Sequence, residues 1–246
     1  MRRVYSGSTI VAAALMLLSV DCASADLIIH STSRSVGAGY SFVPDTTPGS
    51  GTSDFFNGLG AWKSTVATDP FKASDGMTFD SSAWQSSSIS TSHVSLSSVV
   101  HASASPAADE SGPFDLIHSI GQSDLTMTFS VAAPTPIELF ADYSLSGSGF
   151  WSAPASSFIL IESADEEFAF KVLTGEGESN HELLLQPGEY TLSVAHFVSA
   201  GSGTLNEMAI SEFSSSLNFE MIVIPAPGAV LLFSFAALAA RRRRTH

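Results

Sequence analysis

Apolar and polar residues alternate along most of this chain, and the period is two. Leu125, Met127, Phe129 and Val131 alternate with Thr126, Thr128 and Ser130. Ile137, Leu139, Ala141, Tyr143 and Leu145 repeat the pattern, followed by Phe168, Phe170 and Val172. Tyr190, Leu192, Val194 and Val198 carry it on, as do Leu217, Phe219, Met221 and Val223. Successive side chains of a strand point to opposite faces, so each run predicts a strand with one apolar and one polar face. Leu27 to Phe42 predicts a first strand with small residues at its middle, and Phe158 to Ile161 a short buried one. No sustained 3.6-residue period occurs outside the two ends of the chain.

Turn chemistry separates these runs. Pro44 to Gly60 holds Pro44, Pro48, Gly49, Gly51, Asn57 and Gly58 and predicts a loop. Asp69-Pro70 and Asp75-Gly76 predict turns between short apolar pieces. Gln186-Pro187-Gly188-Glu189 places Pro and Gly where a type II turn wants them. Ser81 to Ser105 is the most biased stretch, with 12 serines in 25 residues, which by composition alone suggests a linker. Val94, Leu96, Val100 and Ala102 nonetheless fall at even spacing, so a strand pair with a serine-covered outer face is the better reading. About nine short strands result. The expected fold is all-β, an antiparallel β-sandwich of jelly-roll-like kind, flanked by an N-terminal signal helix and a C-terminal apolar helix.

The two ends follow different rules. Arg2 and Arg3 precede an apolar stretch, Thr9 to Val20, and then Ala23-Ser24-Ala25. That order is a signal peptide (residues 1–25), with cleavage by signal peptidase between Ala25 and Asp26. Asp21, just before Cys22, fits a lipoprotein signal poorly, and cleavage removes Cys22. At the other end Pro225, Ala226, Pro227 and Gly228 lead into an apolar run, Ala229 to Ala240, and then Arg241, Arg242, Arg243 and Arg244. As a helix the 13 uncharged residues from Gly228 to Ala240 span about 20 Å, short of the roughly 30 Å hydrocarbon core. The prolines break any helix extended backwards. The segment is thus a marginal, transient membrane anchor, and the arginines favour the cytoplasmic side. The part between, residues 26–223, is then extracytoplasmic.

This tail, residues 224–246, resembles the PEP-CTERM sorting signal of bacteria that make extracellular polysaccharide. Ala226 stands where that family usually has Glu. The resemblance implies recognition and processing near Pro225–Pro227 by an exosortase, a membrane-embedded cysteine transpeptidase. Leu185, Pro187, Gly188, Tyr190 and Leu192 also resemble a segment of β-sandwich ectodomains found with such tails.

Charge narrows the partners. The chain has a net charge of −14, and residues 26–223 carry four basic against 23 acidic residues, a net of −19. Nothing there neutralises phosphate, so nucleic acid is excluded as a partner. The same 198 residues lack cysteine, which excludes disulfides and thiolate sites.

Candidate chemistry is sparse. His93 and His101 share one face of a predicted strand but lie about 26 Å apart, too far for one ion. His196 falls in line with Val194 and Val198, where a satisfied core histidine is expected rather than a ligand. His181-Glu182 is a pair only in sequence. Asp69, Asp75 and Asp80, and Asp165, Glu166 and Glu167, supply carboxylates enough for a structural Ca2+, but neither group matches a calcium-loop ladder. No Gly-x-Ser-x-Gly nucleophile elbow is present. Trp62, Trp84, Phe150 and Trp151 fall in or near predicted loops; Trp62 and Trp151 are the candidates for stacking on a sugar. The expectation is a non-catalytic exported protein of the cell surface or extracellular matrix, with no cofactor and with extracellular polysaccharide as a candidate partner. The alternatives are a carbohydrate-binding module and a secreted hydrolase.

Overall fold

The computed structural model describes residues 26–43, 51–69, 71–72, 78–105, 116–148, 155–164, 168–173, 177–202 and 211–225. The expected signal helix and C-terminal apolar helix lie outside them. Asp26–Ile224 forms one compact unit. It contains β1 (Ile28–Val43), β2 (Gly51–Phe56), β3 (Gly60–Ala67), β4 (Phe71–Lys72), β5 (Thr78–Ile89), β6 (His93–Ser105) and β7 (Leu116–Val131). It continues with β8 (Thr135–Ser148), β9 (Ala155–Ser163), β10 (Phe168–Leu173), β11 (Gly177–Leu185), β12 (Gly188–Ser202) and β13 (Ser211–Val223).

These strands form two antiparallel sheets of a β-sandwich. The first runs β10-β9-β12-β7-β1-β2 and the second β11-β8-β13-β6-β5-β3, with β4 on β5. β1 and β7 are neighbours in the first sheet, while the β5–β6 hairpin that separates them in the chain lies in the second. β8 and β13 are neighbours in the second sheet, while β9 and β12 pair in the first.

The alternation seen in the sequence is the alternation of burial. In β5 and β6 every second residue is buried, including Phe79, Ala83, Ile89, Val94, Leu96, Val100, Ala102 and Ala104. The serine-rich stretch is therefore a hairpin, with its polar residues on the solvent side of the pleat. Complete burial of a Leu or Phe side chain contributes about 1.5–3 kcal/mol, so each strand is held by a few such anchors.

The structure differs from the sequence reading in strand number, at one expected loop and at one expected turn. There are thirteen strands among the described residues rather than about nine. The expected loop at Pro44–Gly60 contains β2, an edge strand that pairs with β1 from Arg34↔Phe56 to Gly39↔Gly51. Edge pairing lets β2 form although all six of its residues are exposed. Gly188 opens β12 opposite Val131 and lacks the positive φ of a type II turn; the corner is closed by Tyr190 Oη donating to Gln186 O at 2.8 Å.

The sheets approach closely at Gly121. A Cβ there would lie 2.7 Å from Ser82 O and 2.8 Å from His101 O in the opposite sheet. Two hydroxyls stitch the same region: Ser119 Oγ donates to Asp80 O at 2.6 Å and Ser81 Oγ to Gly39 O at 3.2 Å. Gly121→Ala is expected to cost about 1–3 kcal/mol through overpacking against backbone. Gly37→Ala, whose added Cβ meets nothing within 4 Å, is expected to be neutral or slightly stabilising. Urea midpoints for the two variants check this; equal midpoints would contradict the close approach.

Candidate functional site

The inward faces are not uniformly apolar. Five strands place a polar residue in the buried phase at one level of the sandwich. Ser98 sits between Leu96 and Val100, His196 between Val194 and Val198, Ser123 two before Leu125, and Ser215 two before Leu217. Ser123 and His196 are direct cross-strand partners. Gln85 and Ser98 are paired in the opposite sheet. All five are 0–2% exposed.

They satisfy one another across the sheets. His196 Nδ1 is 2.7 Å from Ser98 Oγ, and Nε2 is 2.8 Å from Ser215 Oγ. Ser215 Oγ donates its own proton to Ser144 O at 2.9 Å. It must therefore accept from Nε2–H, which leaves Nδ1 to accept from Ser98; the imidazole is neutral with its proton on Nε2. Tyr143 meets the ring edge-on at 6.0 Å. Burial pushes the His196 pKa down to about 4. A serine within hydrogen-bond reach of a histidine is the geometry of a nucleophile and its base. Here both serines and the ring are shut in the core, where no substrate reaches them, and the group is structural.

Gln85 continues the belt. With its amide nitrogen toward the first sheet, its two N–H hydrogens are shared among Ser123 Oγ at 2.9 Å, Ser35 O at 3.0 Å and Asp124 O at 3.2 Å, while its oxygen accepts from Ser87 Oγ at 3.2 Å. Arg34, 0% exposed, ends the belt at the sandwich edge. It donates to Gly60 O at 2.8 Å and Gly58 O at 2.6 Å, and lies 3.4 Å from Ser87 Oγ. Its guanidinium carbon stands 4.8 Å from the Phe56 ring centre and 5.9 Å from that of Trp62, and burial lowers its pKa.

Trp62 is thus a lid on Arg34. It lies in β3, not in a loop, points inward half-buried, and stacks on Phe56 with centroids 6.4 Å apart. Trp84 likewise lies in a strand, half-buried on the outer face of β5 with Lys63 Nζ 5.6 Å from its ring. Trp151 and Phe150 lie outside the described residues, as do Ala23, Ala25, Ala226, Pro227, Gly228, Arg241, Arg242, Arg243 and Arg244. Asp26 and Pro225 are described and exposed. His93 and His101 share the outer face of β6, as their spacing implied. No group of three or more metal-ligating side chains occurs among the described residues.

The sequence reading placed His196 correctly but missed Gln85, Ser98, Ser123 and Ser215. The signal lay in a polar residue interrupting the apolar phase of several strands; only the register shows that these interruptions face each other.

No protein-family model and no curated protein matches the chain. A solved structure described as "CBM4 structure and function" is similar at TM-score 0.26 and 9% identity, covering 46% of this chain and 89% of that one. The infectious bursal disease virus VP2 subviral particle is similar at TM-score 0.19 and 10% identity, covering 90% and 75%. Likenesses this slight carry no argument about function.

The belt makes stability pH-dependent. The His196 pKa falls from 6.5 when unfolded to about 4 when folded, so the unfolded chain binds the extra proton first. Its contribution is complete above pH 6.5 and is lost as pH drops toward 4, by roughly 3 kcal/mol. Burial raises the Asp124 pKa, and that group works in the opposite direction. Comparison with His196→Gln, whose amide can serve both serines, isolates the histidine. The wild-type urea midpoint is expected to fall between pH 7 and pH 4.5 more steeply than that of the variant. Parallel slopes would refute the assignment.

Proposed function

We propose that this chain is a non-catalytic exported protein of the cell surface or extracellular matrix. An N-terminal signal and a PEP-CTERM-like tail deliver it, and an exosortase-type enzyme trims it near Pro225–Pro227. The observation that carries this reading is where the compact unit begins and ends. Leu27 is 1% exposed and its N–H donates to Thr91 O at 2.8 Å. Val223 is 4% exposed and its N–H donates to Ser92 O at 2.9 Å, while Ile224 N–H donates to Pro136 O at 2.9 Å. One step further out, Asp26 and Pro225 are exposed. Cuts between Ala25 and Asp26 and around Pro225–Gly228 would leave every described strand, Ile28 to Val223, uncut.

Both ends are tied to one turn, the β5–β6 connection at Ser90–Ser92, so they leave from the same pole of the sandwich. Chain ends close together suit a domain tethered on one side and displayed on the other. The paired strand crossings between the sheets support a jelly-roll wrap. The enclosure of the Ser98–His196–Ser215 group favours a non-catalytic role over a hydrolase.

Intact mass of the protein from its native host tests the reading. The expected mass begins at Asp26 and ends between Pro225 and Gly228, plus anything attached there. Replacing Arg241 through Arg244 with Ser is expected to leave an unprocessed precursor in the membrane. A cytosolic chain retaining Met1 and His246 would overturn the proposal.

A further inference from the structure

The outer face of the first sheet differs from that of the second. Across the second, serine pairs dominate beside Trp84 and Val99: Ser86 pairs with Ser97, Ser88 with Ser95, and Ser144 with Ser216. Across the first, two adjacent rows carry rings. One row reads Phe55–Ser35–Asp124–Ala195–Phe158 and the next Ser53–Gly37–Gln122–Phe197–Ser156. Phe55 is 72% exposed and Phe197 37%, with Ile120 on the same face also 37% exposed. Strands lie about 4.8 Å apart, so Phe55 and Phe158 bracket a strip roughly 19 Å wide.

The middle of that strip is polar and held in place. Asp124 Oδ2 accepts from Gln122 Nε2 at 2.6 Å and from Ser35 Oγ at 3.3 Å. Behind it, Gln85 donates through the core to the backbone carbonyls of Ser35 and Asp124, the two residues whose side chains meet outside. Over Gly37 there is open space, since a Cβ added there would meet nothing within 4 Å. A gap thus opens at Gly37, next to Gln122, with Phe55 to one side in strand order and Phe197 to the other.

We propose that this face binds a neutral polysaccharide, with Phe55, Phe158 and Phe197 stacking on sugar rings and Asp124, Gln122 and Ser35 bonding their hydroxyls. A sugar ring offers an apolar C–H face and a rim of hydroxyls, the combination this surface repeats. Charge selects among occupants. With a net charge of −19 on residues 26–223, acidic polymers and a second copy of this chain are repelled. The proposal rests on the matrix reading only for where the ligand is met; binding by purified protein is measured independently of where the cell sends it.

The test is affinity electrophoresis of the full-length chain, purified in a sugar-free detergent. Gels contain hydroxyethyl cellulose, galactomannan or arabinoxylan as neutral probes, or alginate as an acidic one. At least one neutral gel is expected to retard the protein, and alginate is not. Phe55→Ala, Phe197→Ala and Asp124→Asn are each expected to weaken retardation about tenfold, as for truncated anchor residues. Gly37→Leu, which fills the strip without removing a contact, is expected to do the same. Trp84→Ala, on the opposite sheet, should leave it unchanged. Failure of all neutral probes would overturn the proposal. So would retardation indifferent to Phe55→Ala, Phe197→Ala and Gly37→Leu together, retention on alginate, or self-association abolished by the same substitutions.

Discussion

The structure depends on a belt of polar side chains that must find each other across the middle of the sandwich. A buried hydroxyl, amide or imidazole left without a partner costs about 1–3 kcal/mol. Ser98, His196, Ser215, Gln85 and Ser123 all avoid that cost, and each does so through the opposite sheet. Apolar alternation alone does not fix how strands align. Sliding a strand by one residue turns its apolar side to water and is forbidden, but sliding by two restores the pattern. A two-residue slide would move Ser98 or His196 about 7 Å along its strand and strand its partner. The belt therefore removes the ambiguity that periodicity leaves.

The same distinction explains what was legible in the sequence. Strand phase was readable wherever apolar residues alternate with polar ones, as in Leu125–Val131 and Leu217–Val223, and burial follows that phase. Register was not readable, because it depends on partners about a hundred residues away, such as Ser98 and His196. β2 is illegible in the sequence for another reason. All its residues are exposed at a sheet edge, so it lacks the apolar phase that announces a strand, while its Gly and Asn neighbours announce a loop. Gly188 misled because Pro-Gly carries turn chemistry whether or not the glycine is needed at positive φ. At Trp62 the nearby turn residues outweigh the local alternation, whereas Trp84 belongs to the serine-rich strand pair. Trp62 and Trp84 both sit within strands, one inward over Arg34 and one outward beside Lys63.

Serine has opposite roles on the two sides of the pleat. Outside, as at Ser86, Ser88, Ser95 and Ser97, it covers a sheet with hydroxyls that water can solvate, which lets a low-complexity stretch form regular strands. Inside, as at Ser81, Ser98, Ser119 and Ser215, the same side chain is a short link to the facing sheet. Composition cannot separate these uses. Position modulo two can, and the serines that matter to the fold are those in phase with Val94, Leu96 and Val100.

Gln85 joins the core to the surface. It belongs to the second sheet, yet it holds the carbonyls of Ser35 and Asp124 in the first, and those residues present their side chains on the far side. The backbone of Ser35 and Asp124 is held from behind, and the hydrogen bonds from Gln122 and Ser35 to the Asp124 carboxylate hold the same group from outside. Rigid elements position ligand groups more precisely than loops do. The core glutamine is needed to satisfy the belt, and the ordering of the outer face follows from the same contacts. The rings beside that carboxylate are thus set on a frame that the fold already has to build.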